Sequence, residues 1–150
     1  MRFWTTVTTA LMLVMASTSA ALASVEHSLT GAGGYDLVSY HNGEKPLPGN
    51  GNHVSEVDGV VYLFANAANK KKFERNPQKY LPAYGGYCAY GVAVGKKFVG
   101  DPNVWEVVDG RLYLNLDNKI KGIWAKDVSG NIEKADETWP KIRATHASKL

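Results

Sequence analysis

One stretch of this chain occurs twice, and that recurrence limits the fold more than any other feature. Residues 57–73 read Val-Asp-Gly-Val-Val-Tyr-Leu-Phe-Ala-Asn-Ala-Ala-Asn-Lys-Lys-Lys-Phe. Residues 108–124 read Val-Asp-Gly-Arg-Leu-Tyr-Leu-Asn-Leu-Asp-Asn-Lys-Ile-Lys-Gly-Ile-Trp. Aligned without a gap, the two share Val, Asp, Gly, Tyr, Leu and one Lys at matching positions. Each opens on Asp-Gly, a pair that tolerates the positive φ angles of a two-residue hairpin turn. Each continues into an alternating strand, Val60–Ala65 or Arg111–Leu116, and then meets an N-cap residue, Asn66 or Asp117, ahead of a helical stretch. The aromatic residue that closes each stretch, Phe73 or Trp124, is placed to anchor the helix on its hairpin. The pattern predicts an α+β domain of two equivalent hairpin–helix units, related by an approximate internal two-fold, with antiparallel sheet packed by helices.

The remaining elements are arranged around these units. His53–Val57 and Val104–Val108 read as the first arms of the hairpins. Asn76-Pro77 caps a short helix to about Leu81. Tyr87–Val94 is apolar and reads equally as a buried strand or the start of a helix. Asp117–Lys126 and Asn131–Thr138 read as helices separated by Ser129-Gly130, and Trp139-Pro140 reads as the end of the domain. Residues 24–33 and 141–150 are expected to be mobile.

The first residues have the layout of an export signal. Met1-Arg2 gives a positive start, Ala10–Ala16 a short apolar stretch, and Ala21-Leu22-Ala23 a small-x-small cleavage site before Ser24. The apolar stretch is too short to span a bilayer, and no later segment is long enough, so no membrane span is expected after signal removal. The expected organisation is a signal over 1–23, a mobile segment over 24–33, one domain over 34–140 and a basic tail over 141–150. A domain of this size buries roughly two thirds of the surface of its unfolded chain. The expected location is periplasmic or secreted. Arg2 in the signal and Lys141, Arg143 and Lys149 in the tail supply four positive charges; residues 24–140 carry about −1, which gives the net +3. No basic stripe interleaved with aromatics is present, so nucleic acid is not an expected partner. Lys70-Lys71-Lys72 reads as a solvated helix face.

Against an oxidising compartment, the single cysteine, Cys88, stands out in Tyr84-Gly85-Gly86-Tyr87-Cys88-Ala89-Tyr90-Gly91. It has no partner for a disulfide in its own chain. It reads either as a small buried apolar residue or as a functional thiol. All three methionines lie at or before Met15, so Cys88 is the only soft ligand after the signal.

The stretch from Val57 to Phe73, followed by Asn76-Pro77-Gln78-Lys79-Tyr80, resembles the YHS domain. Tyr35-Asp36-Leu37-Val38-Ser39-Tyr40 resembles that domain's opening segment. Gly85-Gly86-Tyr87-Cys88-Ala89-Tyr90 resembles the exported branch known as YHS domain-containing (seleno)protein. The resemblance covers roughly 33–140. It implies a small α+β fold and, in better-known members, metal held by cysteines of the opening segment and the strand–helix junction. Here Ser39, Ala65 and Asn69 stand at those positions, and none replaces a thiolate.

Three functions are expected. The first is metal handling, with Cys88 as anchoring ligand, His41 as second ligand and His53, Tyr40 or Asp36 assisting; copper or zinc suits such donors. His27 and His146 lie too near the ends to build a rigid site. The second is thiol redox chemistry through Cys88, which needs a partner protein because the chain has no resolving cysteine. The third is a non-catalytic module for a small ligand or a protein, lined by Tyr84, Tyr87 and Tyr90, whose faces and hydroxyls alternate with glycines. No phosphate loop, dinucleotide fingerprint, zinc-finger spacing or haem-attachment motif occurs, and a Cys–His hydrolase would lack a nucleophile elbow. The expected protein is therefore not an enzyme.

Overall fold

The structure, a computed structural model, describes residues 29–150. The proposed signal over 1–23, residues 24–28 and His27 lie outside the described residues. The fold is α+β. Strands β1 (Asn50–Val57) and β2 (Val60–Phe64) form one antiparallel hairpin, and β3 (Asp101–Val108) and β4 (Arg111–Asn115) form another. The helices are α1 (Ala67–Arg75), α2 (Pro77–Tyr80), α3 (Ala89–Ala93), α4 (Asn118–Trp124) and α5 (Val128–Ile142).

Both Asp-Gly pairs make the expected turns, with φ of 52° and 75° at Asp58-Gly59 and 49° and 77° at Asp109-Gly110. Both helices after the hairpins are capped as their sequences require. The Asn66 side chain accepts from the Asn69 N–H at 2.9 Å, and Asp117 accepts from the Ile120 N–H at 2.7 Å. Phe73 and Trp124 are fully buried at the ends of α1 and α4. Phe73 packs on Tyr62 and Phe64 of β2, and Trp124 packs on Tyr113 of β4.

The duplication reaches further than the aligned stretch. Ala32, Gly33 and Gly34 all have positive φ, and so do Tyr84, Gly85 and Gly86. Tyr84 is an aromatic residue in the left-handed region, where L-residues are strained by roughly 1–2 kcal/mol. After these turns, the Asp36 N–H donates to Leu47 O at 2.9 Å and the Cys88 N–H donates to Phe98 O at 2.8 Å. Gly49 N–H donates to Gly34 O, and Gly100 N–H to Gly86 O. The hairpins also break register at the same place, between Asn50 and Val54 and between Asp101 and Trp105. Each unit is therefore a left-handed turn, a pinned loop, a bulged hairpin and a capped helix. The bulges explain why β1 and β3 start three residues before the alternating pattern does: Asn50-Gly51-Asn52 and Asp101-Pro102-Asn103 interrupt the alternation.

The structure decides one open reading and corrects several expectations. Of the two readings of Tyr87–Val94, the helix is the one found: Cys88 caps the short α3 over Ala89–Ala93. Ser129-Gly130 does not separate two helices, because Asp127 caps α5 by accepting from Gly130 N–H at 3.0 Å, which puts both residues in the first turn. Trp139-Pro140 does not end the domain. α5 runs on to the buried Ile142 with Pro140 inside it, and the residues after it are tied down. Lys97 Nζ donates to Arg143 O at 3.0 Å and Thr145 O at 2.8 Å, Lys96 Nζ donates to Leu150 O, and Leu150 packs on the second core. Residues 29–33 are likewise held, with Val61 N–H donating to Leu29 O at 2.7 Å.

Candidate functional site

Cys88 sits where the second left-handed turn delivers the chain into α3. It is the N-cap of that helix, and its sulfur accepts from Gly91 N–H at 3.3 Å. The thiol faces Asn115 Oδ1 at 3.6 Å, and that same oxygen accepts from Tyr90 N–H at 3.3 Å. Asn115 is fully buried, and its Nδ2 has no hydrogen-bond partner among the described residues. Cys88 itself is 0 % exposed. Beside it lies a cavity of about 90 Å³ lined by Cys88, Gly91, Phe98, Leu116 and Ile120, with Tyr90 and Val94 completing it. Its walls are apolar, but its rim is at the surface: Val94 is 54 % exposed, Phe98 47 % and Leu116 38 %.

The origin of this slot is visible in the other unit. Asp36 takes the place of Cys88, Ser39 that of Gly91, Leu47 that of Phe98, Ala65 that of Leu116 and Asn69 that of Ile120. There the pocket is closed by a polar lock. Asp36 Oδ1 accepts from the N–H groups of Val38 at 2.9 Å and Ser39 at 3.3 Å. Its Oδ2 accepts from Ala65 N–H at 2.9 Å and Asn69 Nδ2 at 2.7 Å. Ser39 Oγ donates to Asp36 O at 2.6 Å and accepts from Leu47 N–H at 2.9 Å. Asp36 is 0 % exposed, and four donors compensate the loss of water around its charge. In the second unit the carboxylate is a thiol, the hydroxyl is gone with glycine, and the amide has become a branched hydrocarbon. The polar ties that remain run from Asn115 to Cys88 and Tyr90 and from Gly91 N–H to the sulfur; none joins α4 to the Cys88 side chain as Asn69 joins α1 to Asp36, and a slot lies between them.

Of the other residues singled out by sequence, only Tyr90 joins Cys88 at the slot. Asp36 belongs to the lock. Tyr40 is 1 % exposed, its hydroxyl donates to Pro102 O at 2.8 Å, and its ring meets Trp105 edge-on. Burial pushes its phenol well above the ordinary range. Tyr84 is buried with its hydroxyl donating to Asp136 Oδ1 at 2.9 Å; burial first, and then this carboxylate, raise its pKa. Tyr87 packs on Trp139. His41 stands edge-on to Tyr80, 5.2 Å between ring centres, with its buried Nε2 unpartnered among the described residues. Burial, and then Lys79, lower its pKa from 6.5. His53 is half-buried on β1 beside the bulge. Neither imidazole lines the slot or bonds the sulfur. Among the described residues, no group of three or more His, Cys, Asp and Glu side chains is placed to hold one metal ion. Ser39, Ala65 and Asn69, where the YHS resemblance implies cysteines, do converge, but on the carboxylate of Asp36.

Asn115, Phe98, Leu116 and Ile120 are site residues that sequence reasoning missed. The signal was present as Gly33-Gly34-Tyr35-Asp36 and Gly85-Gly86-Tyr87-Cys88, which pairs Asp36 with Cys88. The first unit carries one extra residue before its hairpin, so an ungapped alignment anchored on Asp-Gly loses that match.

Comparison of the chain with protein-family models, with curated proteins and with solved structures finds no match. No helix among the described residues is long and apolar enough to cross a membrane.

Proposed function

We propose that this chain is an exported, YHS-like binding module without catalytic activity, whose ligand site is the apolar slot beside Cys88. The slot accepts a side-chain-sized apolar group, with the polarisable sulfur against it. The observation that carries this reading is the contrast between equivalent positions: a closed polar lock at Asp36 and an open hydrocarbon-walled slot at Cys88. Apolar cavities of this kind stay dry and take apolar guests. The YHS-like assignment is supported by the convergence of Ser39, Ala65 and Asn69, and by the Asn76-Pro77-Gln78-Lys79-Tyr80 run, which forms the cap and helix of α2. The export reading rests on the layout of residues 1–23.

The test uses xenon and benzene as probes, read by methyl NMR of Ile120, Leu116 and Val94. Saturable shifts at these methyls are expected, and they disappear in Gly91→Ala. A Cβ at residue 91 would lie 3.1 Å from the Phe98 ring and 3.4 Å from the Cys88 Cβ, two of the slot's walls, and so narrows it. Because Gly91 is in a helix, the added methyl gains roughly 1 kcal/mol of helix propensity, and the half-exposed Phe98 can yield to it. Absence of saturation in the parent protein would overturn the reading. So would one equivalent of copper or zinc bound tightly and lost in Cys88→Ser, which would assign the site to metal handling.

A further inference from the structure

A second concavity lies between the two units, away from Cys88. It has a volume of about 550 Å³, within the range of small-molecule sites. One wall comes from the first hairpin, through Val60 and Tyr62, and the floor from the Leu81–Gly85 link. The opposite wall carries Arg111, Trp139 and Arg143. Val60 and Arg111 are equivalent positions of the two hairpins, so only the second unit places a cation here.

The two guanidinium groups are prepared differently. Arg111 is fixed: its Nη1 lies 3.0 Å from Asp136 Oδ1, and its Cζ sits 5.0 Å from the ring centre of Tyr84 and 5.3 Å from that of Tyr113. Arg143, just beyond α5, is exposed, and no carboxylate lies within ion-pair distance of it among the described residues. Between them stands Trp139, its ring 5.9 Å from that of Tyr84 and inclined at 61°. Asp58, at the hairpin tip, is the one acidic residue among those lining the cleft; because Asp136 already pairs with Arg111, the cation left free for a ligand is Arg143. Aromatic faces beside an unpaired guanidinium select a planar body with an oxyanion attached, because guanidinium holds carboxylate in a two-pronged geometry.

We infer that this cleft binds an aromatic carboxylate, its ring against Trp139 and its carboxylate on Arg143, with Arg111 as the fixed second cation. The test titrates the purified protein with indole-3-acetate, the neutral indole-3-acetamide and inorganic phosphate, followed by amide NMR and calorimetry. Indole-3-acetate is expected to saturate, shifting Trp139 and Gly85, and to bind at least about tenfold more tightly than the amide or phosphate. Arg143→Ala should weaken it about tenfold with no change in Tm, since the side chain is exposed, and Arg143→Lys should retain part of the affinity. Equal binding of the acetamide would remove the role of charge, and equal binding of phosphate would remove the role of the ring. Failure of indole-3-acetate to saturate, or full affinity in Arg143→Ala, would overturn the proposal.

Discussion

Replacing Asp36 by Asn changes one oxygen to an amide nitrogen, yet it should destabilise the fold severely. The carboxylate accepts two N–H groups on each oxygen: Val38 and Ser39 on Oδ1, Ala65 and Asn69 on Oδ2. Whichever way an asparagine amide is turned, its NH₂ faces two donors. Two charge-assisted hydrogen bonds are lost, each contributing about 1.5–3 kcal/mol, so the cost is about 3–6 kcal/mol. Relief from burying a charge reduces this somewhat. Against a typical total stability of about 5–15 kcal/mol, the variant is close to unfolding. The geometry also specifies a rescue. Asn69→Asp, added to Asp36→Asn, lets the new amide donate where it formerly faced a donor, while Ala65 N–H stays unmatched. The double variant should recover about half the loss, whereas Asn69→Asp alone opposes two buried carboxylates and costs several kcal/mol. Urea unfolding of the four proteins, followed by circular dichroism, gives the cycle directly. A loss under about 1 kcal/mol for Asp36→Asn, or no coupling between the sites, would refute the account of the lock.

Two smaller perturbations test the helix caps and the half-buried imidazole of His41. Asn66→Ala and Asp117→Ala should each cost about 1 kcal/mol in urea unfolding, and by similar amounts, because each removes the same N-cap bond from an equivalent helix. His41 has its pKa lowered in the fold, so the unfolded chain takes up a proton more readily; stability is full above about pH 6.5, the ordinary value, and falls as the pH drops below it. Unfolding measured between pH 5 and pH 8 should show this slope, and His41→Phe should flatten it.

The twofold pattern was legible in sequence because the residues that define it act locally. Asp-Gly sets a turn, alternation sets a strand, and Asn66 and Asp117 cap the helices that succeed the strands. Residues whose role depends on partners far along the chain were not legible. Nothing local distinguishes Asp36, which meets Asn69 across 33 positions, from a surface aspartate. The course of α5 past Pro140 was hidden for a related reason. Proline is a stop signal locally, but burial of Ile142 and the ties from Lys97 to Arg143 and Thr145 hold the helix and the residues after it in place. Cys88 was legible as a residue, but its surroundings were not. Chemical type pairs it with histidines, whereas the fold surrounds it with hydrocarbon, one glycine and one buried amide.

The asymmetry between the units arises from what covers them. In the first, the turn after Asp36 (Ser39–Asn42) has no long helix packed over it, and the lock ties the loop, the hairpin and α1 to one carboxylate. In the second, α5 lies against α3 and supplies Ala135, Ile132 and Trp139 to a core built on Tyr113 and Trp124. Ala135 is fully buried and Ile132 and Trp139 partly so, and this apolar burial adds stability to the second unit from the side of α3 that faces α5. The second unit thus has apolar cover from α5 where the first relies on the polar lock. At the position equivalent to Asp36 the second unit carries a thiol, with glycine in place of the hydroxyl and isoleucine in place of the amide. The slot lies on one face of α3 and α5 packs on the helix as well, so narrowing the slot by Gly91→Ala tests the site without touching the α5 contacts of Ala135 and Ile132.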